Sequence, residues 1–94
     1  MVSNFLKKNN VVITGCNRGI GKSILENFAK EGANCIACVR KENKEFKSFC
    51  KKISQENKVD IQIVEFDLTN ENEVVEAGKK ILSKNIKIDI LVNN

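Results

Sequence analysis

Thr14-Gly15-Cys16-Asn17-Arg18-Gly19-Ile20-Gly21 is the stretch on which the reading of this chain turns. It follows the apolar run Val11, Val12, Ile13 and leads into Ile20, Ile24, Leu25 and Phe28, apolar residues at helical spacing. A glycine-rich turn between a strand and a helix lets a pyrophosphate approach the main chain. Gly15 suits the tight turn, and Gly19 and Gly21 keep side chains out of the space shared by phosphate, helix and sheet. The amides of Gly19, Ile20 and Gly21 then present the positive end of the helix to the phosphates.

Outward from that turn the chain alternates. Strands are predicted over 10–14, 34–39, 59–66 and 88–92, and helices over 19–31, 44–55 and 71–83. Gly32 closes the first helix. Phe46, Phe49, Cys50 and Ile53 mark the inner face of the second, and Val74, Val75, Ile81 and Leu82 that of the third. Asp67-Leu68-Thr69-Asn70 reads as a turn in which Thr69 or Asn70 caps the third helix. Such β-α-β-α-β-α-β alternation predicts an α/β fold, a doubly wound parallel sheet of Rossmann type with strand order 3-2-1-4. Two helices would cover one face and the third helix the other. A parallel sheet needs both faces covered and its edges protected. We therefore expect residues 1–94 to form the amino-terminal part of a single dinucleotide-binding domain, with further cover from residues beyond Asn94.

Composition removes several function classes. The formal charge is +4, but the lysines alternate with Glu26, Glu31, Glu42, Glu45 and Glu56 along helical segments, the pattern of solvated faces. The aromatic residues are five phenylalanines. Phe28, Phe46, Phe49 and Phe66 fall at core-facing positions rather than in a base-stacking platform, so no nucleic-acid partner is expected. No apolar run approaches the roughly 20 residues that span a bilayer, and the first eight residues lack a secretory apolar core. No membrane partner and a cytoplasmic location are expected. Four cysteines should then be reduced thiols. Cys35 and Cys38 form a C-x-x-C, but three residues apart on a strand they point to opposite faces, and there is no histidine. They read as small buried hydrophobes, not metal ligands.

T-G-x-x-x-G-I-G resembles the cofactor motif of the short-chain dehydrogenase/reductase family. Three further positions match: Arg40 after the second strand, Asp67-Leu68 after the third, and Leu91-Val92-Asn93-Asn94, similar to the start of the family's N-N-A-G segment. The resemblance covers nearly the whole chain and is closest to members like β-ketoacyl-acyl-carrier-protein reductases, whose loop is often T-G-x-x-R-G-I-G. It implies that Thr14 braces the turn, and that Gly15, Cys16, Asn17, Arg18, Gly19, Ile20 and Gly21 line the pyrophosphate and ribose. Asp67 would accept from the adenine amino group beside the Leu68 amide. Asn94 would touch the nicotinamide-side ribose, while Asn93 holds the sheet together.

Cofactor choice follows from charge. A site for NAD carries an acidic residue after the second strand, for the ribose 2′-hydroxyl. This chain has Arg40 there, followed by Lys41, with Arg18 inside the loop. Guanidinium groups suit a 2′-phosphate, so NADP(H) is the expected cofactor. Cys16 reads either as a passive small residue or as a thiol sensitised by the helix terminus.

Two rival functions share some of these features. Gly21-Lys22-Ser23 resembles the end of a P-loop, but the first glycine would have to stand at Cys16, and Lys22 reads instead as a solvent-facing helix residue. The other is a non-catalytic NADP-responsive regulator on the same fold. In the family, a Ser, a Tyr-x-x-x-Lys pair and a further Asn lie beyond the N-N-A-G segment. This chain holds no tyrosine, so no catalytic residue is assigned in it and the 94 residues alone should be inactive. The resemblance implies hydride transfer between carbonyl and alcohol with NADP(H) for the longer protein, a small carbonyl or alcohol substrate such as a 3-oxoacyl thioester, and a homo-oligomer.

Overall fold

The structure is a computed structural model that describes residues 6–17 and 19–94. Four strands, β1 (Asn10–Thr14), β2 (Asn34–Val39), β3 (Ile61–Glu65) and β4 (Ile90–Val92), form one parallel sheet in the order β3-β2-β1-β4. Between them run α1 (Gly19–Lys30), α2 (Lys44–Asn57) and α3 (Glu71–Leu82). The fold is therefore the doubly wound Rossmann arrangement with strand order 3-2-1-4 that the alternation predicts.

Strand periodicity sorts the core. Val11 and Ile13 of β1 and Cys35, Ala37 and Val39 of β2 meet Leu25 and Ala29 of α1 and Phe46, Cys50 and Ile53 of α2. Val12, Ile36, Cys38 and Val64 face the other way, onto Ala77 of α3. Cys35 and Cys38 thus belong to opposite faces. Ile13, Leu25 and Ile53 are fully buried, and each stabilises the fold by roughly 1.5–3 kcal/mol relative to exposure.

The helix ends have local causes. Gly32, at φ 91°, ends α1: its N–H donates to the Ala29 carbonyl and that of Ala33 to Phe28, a Schellman closure. Asn43 and Asn70 accept from the N–H groups of Phe46 and Glu73 at the starts of α2 and α3. Asn70, not Thr69, is therefore the cap.

Several boundaries differ from expectation. Helix α2 runs two residues further, to Asn57, because Lys58 takes a left-handed cap and the N–H of Val59 turns back to Ser54. That removes Val59 from β3. Strand β4 begins at Ile90, later than expected, and 87–89 are tied to the start of β1 by Asn10: its N–H donates to Asp89 Oδ2 at 2.8 Å, its carbonyl accepts the Asp89 N–H at 2.9 Å and its Nδ2 donates to the Lys87 carbonyl.

Two side-chain expectations are corrected. Val75 and Leu82, seven residues apart on α3, lie on one line of the helix well away from Ala77, and Leu82 is 78% exposed. Only the Ala77–Ile81 line reaches the sheet, and Val74 is left at its margin. Lys22 does not extend freely into solvent. Its ammonium sits 4.5 Å from the Phe49 ring centre, where a cation on an aromatic face helps join α1 to α2. Among the described residues, no helix is long and apolar enough to cross a membrane.

Candidate dinucleotide site

The carboxyl ends of β1, β2 and β3 and the turn after β1 converge around a cavity of about 240 Å³. Its lining includes Thr14, Gly15, Asn17, Arg40, Asp67 and Leu68, six of the residues the sequence singles out, brought together from three separate segments. In a doubly wound sheet this end, beside the strand where the order reverses, is where a ligand binds. A wider groove of about 550 Å³ between α3 and β3 mixes carboxylates with lysines and has no glycine turn.

The turn is built from main chain. A Cβ on Gly21 would stand 2.1 Å from the Gly15 carbonyl oxygen, so only glycine lets α1 start this close to the end of β1. Gly19 sits at φ 59°, and a Cβ there would meet nothing within 4 Å. The left-handed conformation favours glycine at that position, and the space in front of it is open. Ile20, expected within the apolar helical series, is 74% exposed because the first turn of α1 projects past the sheet.

Thr14 ties this turn to the end of β4. It is the one polar side chain buried in the core among the described residues. Its hydroxyl accepts the Asn94 N–H at 3.0 Å and directs its own hydrogen towards Asn93 Oδ1 (3.3 Å) and the Val92 carbonyl (3.4 Å). Asn94 Nδ2 then donates to the Gly15 carbonyl at 3.2 Å. Both asparagines therefore brace the glycine turn.

Cys16 lies beneath the turn, fully buried, with Sγ 3.5 Å from the carbonyl oxygens of Ile13 and Cys38. Burial, reinforced by the neighbouring Cys38 and Cys50, pushes its thiol up to about 12. A thiol so desolvated is not a sensitised nucleophile, and any contact it makes with a ligand runs through its main chain. Arg18 lies outside the described residues.

Opposite the turn, Arg40 and Asp67 meet across the cavity, with Arg40 Nη2 3.3 Å from Asp67 Oδ2. Asp67 Oδ1 also accepts from the Thr69 hydroxyl at 2.7 Å and the Thr69 N–H at 2.9 Å. These Thr69 bonds first, and the Arg40 guanidinium second, hold the Asp67 carboxyl below the usual carboxylate range. Asp67 is ionised at neutral pH with its orientation set. Thr69, expected only as a possible helix cap, thus orients Asp67, and an Asp-x-Thr after a strand is a recognisable side-chain turn.

A sequence profile described as short chain dehydrogenase matches residues 9–94. The short chain dehydrogenase/reductase dpfgH of Gibberella zeae is 34% identical over 87 residues, covering 88% of this chain and 25% of that protein. Among solved structures, L-sorbose reductase from Gluconobacter frateurii, complexed with NADPH and L-sorbose, superposes with a TM-score of 0.83 at 30% identity. The match covers 95% of this chain and 34% of that one. An alcohol dehydrogenase from the archaeon Thermococcus sibiricus, complexed with 5-hydroxy-NADP, gives a TM-score of 0.80 at 26% identity, covering 88% and 35%. The chain spans 25%, 21% and 35% of the length of three curated relatives it matches.

Proposed function

The chain belongs to the short-chain dehydrogenase family, and from that premise we propose that it is the NADP(H)-binding part of an oxidoreductase that interconverts a carbonyl and an alcohol. The observation that carries the cofactor choice is Arg40: a guanidinium at the carboxyl end of β2, on the cavity, where a site for NAD needs a carboxylate.

The fit of a dinucleotide rests on two features of the turn. The Gly15–Gly21 approach leaves no room for a side chain, and the space before Gly19 is open. The amides of Gly19, Ile20 and Gly21 would hold the pyrophosphate, with Asn17 and Arg18 beside it. Asp67, already oriented by Thr69, would accept from the adenine amino group, with the Leu68 amide adjacent. Arg40 would exchange its Asp67 partner for a 2′-phosphate, a dianion that its planar fork matches better than a single carboxylate oxygen. Asn94 would carry its bracing role onto the nicotinamide-side ribose. The bound cofactor supplies the hydride. The chain's own part is to bind and orient it, and to keep its adenosine end in place. Two solved relatives, L-sorbose reductase and the Thermococcus sibiricus alcohol dehydrogenase, were captured with NADPH and an NADP derivative, which supports this choice. The T-G-x-x-R-G-I-G loop makes a 3-oxoacyl thioester the first substrate to assay.

Titration of the full chain with NADPH and NADH, beside Arg40→Asp, tests the cofactor reading. Preference for NADPH should fall by roughly ten- to a hundredfold or reverse in the variant. A folded protein that binds neither nucleotide, or that favours NADH with Arg40 in place, would overturn it.

A further inference from the structure

Glu65 stands where the pattern of β3 calls for an apolar residue. Ile61, Ile63 and Glu65 share one face of the strand, and both isoleucines pack against the core under α1 and α2. In the sheet register Glu65 lies beside Val39, the last residue of β2 and itself part of that core. Glu65 itself is exposed at the open end of the strand, and its carboxylate reaches across to the loop after β2. Glu65 Oε2 accepts the main-chain N–H of Glu42 at 2.8 Å.

That bond closes a short loop. At its near end, the Val39 carbonyl accepts the Phe66 N–H at 2.9 Å. At its far end, Glu42 is held by Glu65, its own carboxylate meets Lys47 at 2.7 Å, and Asn43 caps α2. Arg40 and Lys41 are the two residues between these anchors. Both anchors come from the end of β3, so β3 determines where the main chain of Arg40 sits relative to Asp67 and the cavity.

We infer that Glu65 is a positioning residue for cofactor selection: it pins the β2–α2 loop so that Arg40 is delivered to the 2′-phosphate. The inference rests on the NADP(H) reading above. It also opposes simple electrostatics, because a carboxylate near the loop would by charge alone disfavour a 2′-phosphate. Retaining Glu65 is useful only if the loop geometry outweighs that repulsion.

Glu65→Ala and Glu65→Gln separate the two effects. The glutamine amide keeps an oxygen that accepts the Glu42 N–H but carries no charge, whereas alanine removes both. Binding of NADPH and NADH to the full chain is measured for wild type and both variants, with far-UV spectra to confirm folding. Glu65→Ala should weaken NADPH by roughly three- to tenfold while leaving NADH within about twofold, and Glu65→Gln should bind like wild type. An unchanged NADPH-to-NADH ratio in Glu65→Ala overturns the inference, as does equal weakening of both nucleotides, which marks a purely structural role. Tighter NADPH binding in both variants overturns it as well, because charge would then dominate. If wild type itself does not favour NADPH, the cofactor reading fails and this inference falls with it. If wild type favours NADPH and Glu65→Ala leaves the NADPH-to-NADH ratio unchanged, this inference alone fails.

Discussion

The two walls of the cavity are made differently. The β1–α1 turn is main chain against main chain: Gly21 against the Gly15 carbonyl, the Asn94 and Thr14 bonds behind it, and Cys16 sealed underneath. The facing wall is side chain against side chain, with Arg40, Asp67 and Thr69 joined at the ends of two strands. A wall of backbone can recognise what every dinucleotide shares, the pyrophosphate. Discrimination between dinucleotides needs groups that differ in charge, and those stand on the other wall. Damage to the first wall should therefore affect both nucleotides alike, and damage to the second should change the ratio between them.

Gly21→Ala is the strongest way to break the first wall. A methyl 2.1 Å from a carbonyl oxygen must push α1 off the sheet, because its neighbour is backbone and not a flexible side chain. We expect a loss of about 3 kcal/mol in denaturant unfolding and loss of NADPH and NADH binding together. Wild-type stability in this variant would contradict the close approach.

Thr14→Val tests the same wall from behind with less force. It keeps the shape and removes the hydroxyl, stranding the Asn94 N–H, for about 1–2 kcal/mol. Its NADPH-to-NADH ratio should stay that of wild type even as both affinities fall. A changed ratio would join the two walls functionally.

The smallest effect concerns the second wall. Asp67 titrates below the ordinary carboxylate value because its charged form is bonded to Thr69 first and Arg40 second. Its folded value is lowered, so its contribution to stability is complete above the unfolded value, near 4, and is lost as pH falls through the folded one. Carboxyl-carbon NMR should show Thr69→Ala raising the Asp67 titration more than Arg40→Met does, since the Arg40 side chain is 80% exposed and screened by water. The opposite order would make Arg40 the stronger partner.

Legibility in the sequence follows the same division. Hydrophobic periods of 2 and 3.6 residues mark every strand and helix in order, and the connections then permit essentially one parallel topology. The glycine turn is readable because its requirement is local: a positive φ and a missing Cβ are properties of one residue and its neighbours. The errors fall where local signals compete with packing. Val75 and Leu82 read as inward because they are apolar, yet a helix lying on a sheet offers only one narrow line, and Ala77 with Ile81 occupies it. Val59 is apolar and β-branched, but closing α2 claims its N–H.

Arg40, Asp67 and Leu68 can be named from the chain as ends of strands. That Arg40 meets Asp67 across 27 residues of sequence and that Glu65 holds the Glu42 amide cannot. Each depends on β2 and β3 lying side by side in one register, with Val39 against Glu65. What the chain order prescribes is a tight glycine turn on a Rossmann sheet, since backbone sterics act between near neighbours. The charge pair of the facing wall arises only when two distant strand ends are set a few ångströms apart, since directional bonds between side chains exist only at contact distance.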